Sequence, residues 1–245
     1  MALMYPDIEK HIQIILEEGV KIVFTSAGNP KTWTPYLKEK GVTVVHVVPS
    51  AKFAKKAEDA GVDAVVAEGF EAGGHNGREE ITTMCLIPQV CEMVKIPVIA
   101  AGGIGTGRGM LATMVLGADG VQIGTRFAMS EESSWHPNMK KKATETAEDG
   151  TMLMLKKLAP VRLIKNNFFE KIKAAEERGA GTEELKEILG RARAKKGMFE
   201  GDMEEGELEI GQISGLIHKI KPVKEIVKEI LEEFEKTKKE ICIGE

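Results

Sequence analysis

Short apolar runs rich in Val, Ile and Ala alternate with amphipathic or turn-bounded helical stretches from Pro6 to Phe127. This alternation is typical of βα units arranged around a parallel sheet. Five of the runs are nearly continuous in apolar residues, as strands covered on both faces must be. They predict a buried parallel sheet whose strands are Lys21 to Ser26, Val42 to Val48, Asp63 to Ala67, Pro97 to Ala101 and Gly120 to Gly124.

A similar glycine phrase comes before several of these predicted strands. It occurs as Glu18-Gly19-Val20, Lys40-Gly41-Val42, Ala60-Gly61-Val62-Asp63 and Leu116-Gly117-Ala118-Asp119. A glycine that ends a helix before a short loop into the next strand explains each phrase. The regular recurrence indicates a repeated βα unit and favours a barrel over an open nucleotide-binding sheet.

The sequence changes character after Phe127, where charged helix-forming residues dominate and no further clear strand is predicted. Helices are expected over Glu183 to Lys196 and over Pro222 to Lys239, and the second has one apolar face and packs on the domain. Glycine-bearing segments at 196–202 and 210–217 are either lids or plain connectors. We therefore divide the chain into a partial barrel with the cofactor site (1–137), a helical insert or lid (138–218) and a C-terminal packing helix (219–245).

Composition excludes several classes of function. The 245 residues include 34 basic and 38 acidic side chains without an arginine-rich block, which argues against nucleic acid as a partner. Cys85, Cys91 and Cys242 are odd in number and lack Cys-x-x-Cys spacing, so we expect inert thiols and no metal site. With no signal segment and no apolar run long enough to span a bilayer, we expect a cytoplasmic protein without membrane contact.

A histidine among glycines follows the third predicted strand, in Glu71-Ala72-Gly73-Gly74-His75-Asn76-Gly77. Glycines lack the Cβ atoms that would keep a flat ligand away from the backbone, and they allow positive φ angles. His75 is then suited to act as an acid or base near neutral pH. A glycine-rich turn whose histidine is satisfied by backbone carbonyls would have the same pattern, so this motif alone leaves both interpretations open.

Two more glycine loops end predicted strands, with Gly102 and Gly103 in one and Gly124 and Thr125 in the other. Such loops present backbone N–H groups to anions, and the last two strands of barrels commonly bind phosphate. Neither loop matches the dinucleotide pattern G-x-G-x-x-G, so a mononucleotide such as FMN fits better than NAD held on a Rossmann fold. Tight turning explains either loop alone, but the shared position of all the loops at strand carboxyl ends favours a site. Gln122 contacts the flavin ring or satisfies a neighbouring backbone group.

The segments 68–77, 100–104, 122–127 and 211–217 closely resemble the FMN-dependent family that contains nitronate monooxygenases and the flavin type of enoyl-acyl carrier protein reductase. The resemblance implies a TIM-type (β/α)8 barrel with FMN over its carboxyl face and His75 as the catalytic residue. It implies that the phosphate is held at the two glycine loops just described. The full set of residues expected at the cofactor is Ser26, Gly28, Glu68, Gly73, Gly74, Gly102, Gly103, Gln122, Gly124 and Thr125.

Within that family the chain is more similar to the enoyl reductases, through its long insert after the last strand and the run Glu131-Glu132-Ser133-Ser134. The resemblance then implies that NADH or NADPH reduces FMN and that hydride passes to the β-carbon of an enoyl thioester. His75 would act as the acid or orient the thioester carbonyl. Nitronate oxidation at the same site is the alternative.

The resemblance breaks down at the amino end, because family members begin with about two and a half βα units before the point that matches Met1. Five strands do not close an eight-stranded barrel, and an open sheet exposes edges and apolar faces. We therefore expect a barrel incomplete at its amino end. Either another chain covers the open sheet, most simply in a homodimer, or the chain is an inactive fragment that keeps part of the FMN phosphate site.

Overall fold

The computed structural model describes residues 1–241, and this part of the chain contains eleven α-helices and eight strands. The strands are β1 (Ile22–Thr25), β2 (Thr43–Val48), β3 (Ala64–Glu68), β4 (Gly74–His75), β5 (Val98–Ala101), β6 (Gly120–Gln122), β7 (Thr151–Met154) and β8 (Val161–Ile164). The helices are α1 (Ile8–Glu17), α2 (Thr34–Glu39), α3 (Ala51–Asp59), α4 (Thr83–Met93), α5 (Gly107–Val115), α6 (Thr125–Ala128), α7 (Pro137–Thr144), α8 (Asn167–Glu177), α9 (Thr182–Leu189), α10 (Arg193–Met198) and α11 (Val223–Ile241). None of these helices is long and apolar enough to cross a membrane.

The main sheet has five parallel strands in the order β1-β2-β3-β5-β6, which confirms the five strands predicted from the sequence. The strands follow one another in the sheet in the same order as in the chain, so each strand pairs with the strand before it. The sheet curls into a half-barrel. Side chains alternate between two faces. Val23, Val44, Val65 and Val98 join the core beneath the helices, whereas a smaller cluster around Val66 lies on the concave face.

The concave face is open at its β1 end, where Ile22 is 57% exposed and Phe24 is 39% exposed. The prediction that every strand is covered on both faces is therefore wrong for β1, whose residues alternate between exposed and buried. Ala2 pairs in parallel with Ser26, so the first residues lie beside the end of β1.

A second, antiparallel sheet in the order β4-β8-β7 corrects the prediction that no strand follows Phe127. Both β7 and β8 fall in the segment 138–218, which is therefore a mixed insert and not a helical one. Each strand has only four residues, and Arg162 interrupts the apolar pattern of β8. The helix predicted over 183–196 is also divided, because the chain turns at Gly190 with φ +64° between α9 and α10.

Helix α11 confirms the packing helix predicted over 222–239. It lies on α5, and a Cβ added to Gly107 would overlap the α11 backbone at Ile230 and Phe234. Only glycine at this point of α5 allows the two helices such a close approach.

Cys85 and Cys91 are free thiols, the first exposed and the second half-buried. Burial raises the pKa of the Cys91 thiol, which lowers its reactivity and agrees with the prediction of an inert group. Cys242 lies outside the described residues.

Candidate functional site

A cavity of about 330 Å³ lies at the carboxyl ends of β3, β5 and β6. This is the edge at which open and closed parallel sheets of the α/β class bind ligands. It brings together seven of the predicted cofactor residues, which are Glu68, Gly73, Gly102, Gly103, Gln122, Gly124 and Thr125. Their contact with a cofactor stays a prediction.

Ser26 and Gly28 lie away from this cavity. Ser26 bonds through its backbone to Met1 and Leu3, and a Cβ on Gly28 would come within 2.7 Å of Leu3 Cβ. Gly28 lines a separate cavity of about 190 Å³ beside His46. The close packing of Leu3 therefore explains this glycine without a ligand, and a cofactor role for both residues stays a prediction.

The two glycine loops offer backbone donors to the cavity. Within residues 1–241, the N–H groups of Gly103 and Gly124 donate no hydrogen bond to the chain, and the Cβ direction of Gly124 is open space. Thr125 Oγ1 accepts from Gly211 N at 3.0 Å, which leaves its hydroxyl proton available to a ligand. These groups fit the oxygens of a phosphate.

The amino end of α5 is occupied by the protein itself. Gly107 N donates to Glu233 Oε2 at 2.6 Å, and Gly109 N donates to Thr106 Oγ1 at 3.0 Å. These two amides of α5 are therefore bonded to Glu233 of α11 and to the helix's own cap Thr106, and neither is free to bind an anion. The anion-binding capacity therefore lies in the loop backbone.

Two carboxyl groups face the cavity from the β3 side. The Glu71 carboxylate accepts hydrogen bonds from the backbone N–H of Thr83, at 2.9 and 3.1 Å, and from the Thr83 hydroxyl, at 2.9 Å. Glu71 therefore caps the start of α4. Glu68 ends β3, and burial raises its pKa to about 7. Near neutral pH a large share of Glu68 is therefore protonated and able to donate a hydrogen bond to a neutral polar group.

His75 is exposed and lies two residues after Gly73, which lines the cavity, whereas neither Gly74 nor His75 is itself in the lining. Its strand β4 pairs with β8, and Asn76 N donates to Pro160 O at 2.8 Å. Among residues 1–241 no hydrogen bond holds the imidazole. The interpretation of His75 as a histidine satisfied by backbone carbonyls therefore finds no support in the described contacts.

Arg162 fixes the loop that leads to His75. Its side chain is 1% exposed, and it donates to the Phe70 carbonyl at 2.7 and 3.2 Å while its guanidinium lies 4.4 Å from the centroid of the Phe70 ring. A buried arginine with these contacts resists movement, since displacing it would leave its charge without partners. No sequence pattern marks Arg162 as a site residue, because it is a single charged residue inside a short strand.

The segment Glu209–Gln212 packs against the loop that follows β3, and Glu209 and Ile210 line the cavity. Gln212 N donates to Glu71 O at 2.9 Å, and a Cβ on Gly73 would overlap the backbone of Ile210 and Gly211. Gly73 is thus required for a close approach of two protein segments. The glycine-bearing stretches 196–202 and 210–217 contain Met198, Ile210 and Ile213 of the lining, whereas no sequence pattern marked Trp135 and Glu209.

Comparison with known proteins identifies the family. The sequence profile described as nitronate monooxygenase matches residues 4–233. The chain belongs to the nitronate monooxygenase family. Its members and its structural neighbours are FMN-dependent oxidoreductases.

Relatives within the nitronate monooxygenase family differ in how much of their length they share with the chain. A probable nitronate monooxygenase of Staphylococcus saprophyticus is 39% identical over 172 residues, which cover 66% of this chain and 48% of the relative. The chain thus matches about half the length of such curated relatives.

Solved structures match over nearly the whole chain. FabK from Thermotoga maritima superposes with a TM-score of 0.93 at 42% identity and covers 99% of this chain and 76% of its own. Nitroalkane oxidase from Streptomyces ansochromogenes gives a TM-score of 0.79 at 26% identity, covering 96% of this chain and 70% of its own. The half-barrel sheet is therefore that of the TIM-type barrel neighbours in this family.

Proposed function

We propose that the cavity at the β3, β5 and β6 ends binds FMN and that the protein reduces an enoyl-acyl carrier protein thioester with NADH or NADPH. One observation carries the proposal. Gly103 and Gly124, whose backbone N–H groups donate no hydrogen bond within the described chain, line the same cavity as Gly73, which precedes His75 by two residues. The similarity to FabK over 99% of the chain supports the enoyl reductase over other activities of the family.

Each residue has a defined task in this proposal. The N–H groups of Gly103 and Gly124 and the hydroxyl of Thr125 bind the phosphate of FMN. Bound FMN supplies hydride-transfer chemistry. Gln122 and Glu68 offer polar groups to the uncharged part of the cofactor.

The remaining tasks concern the substrate. Trp135 and Met198 form an apolar wall that excludes water and suits an acyl chain. His75 holds the proton that balances addition of hydride, because an imidazole exchanges protons near neutral pH. Its exposed position leaves it accessible to a thioester carbonyl.

Nitronate oxidation is the second candidate. The profile match over residues 4–233 and the probable nitronate monooxygenases among the relatives favour it. The same cavity and the same histidine would serve a nitronate, so the two candidates differ in the small molecule that meets the reduced cofactor.

The open concave face bears on the oligomeric state of the protein, and the thiols bear on its cellular compartment. We infer that a second copy of the chain covers the exposed apolar face of β1 in a homodimer. The two free cysteines of the described chain support a reducing compartment such as the cytoplasm.

The first test is binding of FMN to the purified chain, followed by flavin fluorescence anisotropy. We expect saturable binding, and we then compare enoyl-thioester-dependent oxidation of NADH with oxygen uptake in the presence of a nitronate. His75→Asn should leave FMN affinity unchanged and lower turnover of the thioester by about 100-fold or more.

The matched control is His136→Asn, since His136 caps α7 through a 3.1 Å bond from Asn138 N and asparagine caps equally well. It should change neither binding nor turnover. Absence of FMN binding would overturn the proposal, and turnover of the nitronate alone would establish the second candidate in its place.

A further inference from the structure

A second cavity, of about 190 Å³, lies at the carboxyl ends of β1 and β2. One wall is the loop after β1, which contributes Ala27 and Pro30. The other wall is the first part of α3, which contributes Phe53 and Lys56, and His46 of β2 completes the polar lining. The second cavity shares no lining residue with the cavity at the ends of β3, β5 and β6.

His46 is the buried polar group of the second cavity, with 5% of its surface exposed. Burial lowers its pKa to about 4, so the imidazole is neutral near neutral pH. The Thr25 hydroxyl lies 2.8 Å from His46 Nδ1 and 3.3 Å from the Val45 carbonyl oxygen. Donation of the hydroxyl proton to Nδ1, the nearer acceptor, leaves the ring proton on Nε2. His46 then presents an N–H donor on the side of the ring away from Thr25.

The Nε2 atom of His46 has no hydrogen-bond partner within residues 1–241. In the same residues, the side-chain polar atoms that are both sealed from solvent and unpartnered are Ser214 Oγ and Thr237 Oγ1. Nε2 is not among them, so it meets the open space of the cavity that His46 lines. Because buried polar groups in proteins are nearly always hydrogen-bonded, this donor is matched to a partner outside the chain.

Lys56 and Phe53 are one turn apart on α3 and both line the second cavity. Lys56 takes part in none of the described ion pairs, whereas the adjacent Lys55 is paired with Glu58 and Asp59. The described lining contains no Asp or Glu, so its charge is positive. The Phe53 side chain is partly exposed and offers its ring to an apolar or flat group.

The amino end of α3 adds backbone donors next to this lining. Within residues 1–241 the N–H groups of Ala51, Lys52 and Phe53 donate no hydrogen bond, and the N-cap residue Ser50 makes no side-chain cap. The first amides of α5, by contrast, are already bonded to the protein. An uncapped helix amino end carries a partial positive charge that favours an anion.

We propose that the second cavity binds the phosphate group of an organic phosphate, which His46 Nε2–H and the Lys56 ammonium bind while the organic part lies against Phe53. Cavities that enclose a whole ligand usually exceed about 300 Å³, so this smaller one takes a single head group. A phosphate has enough oxygens for the imidazole, the ammonium and the helix amides together. The site is separate from the proposed FMN cavity and does not depend on the function proposed above.

The test is an NMR titration of the purified chain carrying ¹³C-labelled histidine, near neutral pH and at low salt. The ligands are inorganic phosphate, AMP and phosphopantetheine, and adenosine and pantetheine are the matched compounds without phosphate. We expect a saturable shift of the His46 signal with AMP or phosphopantetheine and none with adenosine or pantetheine. The tighter of the two phosphates shows whether the site serves a nucleotide or a pantetheine arm, and inorganic phosphate should compete with it.

Two variants and one control connect the shift to the proposed contacts. Lys56→Gln should weaken binding of the phosphate about tenfold, because a charge-assisted bond is lost. Lys55→Gln removes the same charge from the next residue of α3 and should leave the affinity unchanged. His46→Val should weaken binding and assigns the His46 signal by its loss. If His46→Val does not fold, the signal is that of the histidine that titrates at about pH 4.

Three results would overturn the proposal. They are the absence of a saturable His46 shift with both organic phosphates, equal binding of the compounds without phosphate, and equal losses of affinity in Lys55→Gln and Lys56→Gln. FMN is absent from these titrations. A chain that binds AMP or phosphopantetheine in this way but shows no enoyl reduction would therefore keep the second site and lose only the proposed function.

Discussion

Glu207 is a buried carboxyl group outside the cavity wall, with a residue exposure of 7%. Burial raises its pKa to about 7, the charge of Glu209 acts in the same direction, and Arg193 acts against both. The folded chain therefore binds this proton more tightly than the unfolded chain does. As pH rises from about 4.5 to about 7, the unfolded state loses the proton first and the free energy of unfolding falls.

Replacing Glu207 with glutamine removes this ionisation. Glu207→Gln should raise the free energy of unfolding by about 1–2 kcal/mol at about pH 8 and leave it nearly unchanged at about pH 4, where the carboxyl is neutral in both states. Urea denaturation at the two pH values measures the difference. Glu204→Gln is the exposed control, and an equal gain at both pH values would contradict the explanation.

At the scale of elements, the contact between α5 and α11 depends on one glycine. A methyl group on Gly107 has no space, because the backbone of α11 at Ile230 and Phe234 occupies the position. The same contact carries the bond from Gly107 N to Glu233. Displacement of α11 would therefore also uncap α5, which follows the Gly102-Gly103 loop of the site.

Gly107→Ala should lower the free energy of unfolding by about 1–3 kcal/mol through overpacking. Gly109→Ala in the same helix is the control, since the nearest atoms to its Cβ would be Thr106 Oγ1 at 3.3 Å and Ile104 Cγ2 and Cα at 3.7 and 3.9 Å. Alanine favours the helix over glycine by about 1 kcal/mol, so this control should be neutral or stabilising. Chemical denaturation followed by circular dichroism distinguishes the two variants, and equal effects would argue against close helix packing.

At the scale of the whole molecule, the exposed apolar side chains of β1 dominate the expected solution behaviour. Ile22 and Phe24 lie on the open concave face, and exposed apolar strands promote association. We expect light scattering to give a mass above that of the monomer. Ile22→Ser with Phe24→Ser should shift the distribution toward monomer.

The control for association is Val227→Ser with Leu231→Ser, two exposed apolar residues on α11. These changes should leave the mass unchanged, because both residues lie inside a helix, where the backbone groups bond to one another. A monomeric wild-type chain would contradict the prediction of a covering second copy.

The sequence by itself determined the features that depend on neighbouring residues. Continuous apolar runs predicted the five parallel strands, because a strand buried in such a sheet needs apolar side chains at successive positions. Glycines at strand ends predicted the loops of Gly102, Gly103 and Gly124, and the one-sided apolar pattern predicted the last helix. These local signals and the family resemblance together selected seven residues that the folded chain brings to one cavity.

Tertiary contacts determined the rest. The four-residue strands β7 and β8 are stable because they pair with each other and with β4, and so short a pattern has no distinct periodicity. The approach of Glu209 to Gly74 and of Ile210 to Gly73 joins segments far apart in the chain, which no local pattern encodes. Gly28 shows the opposite case: the sequence predicts a cofactor contact there, whereas the fold explains this glycine by its packing against Leu3. A glycine in the sequence thus marks a positive φ angle, a close approach or open space, and only the folded chain shows which of these applies.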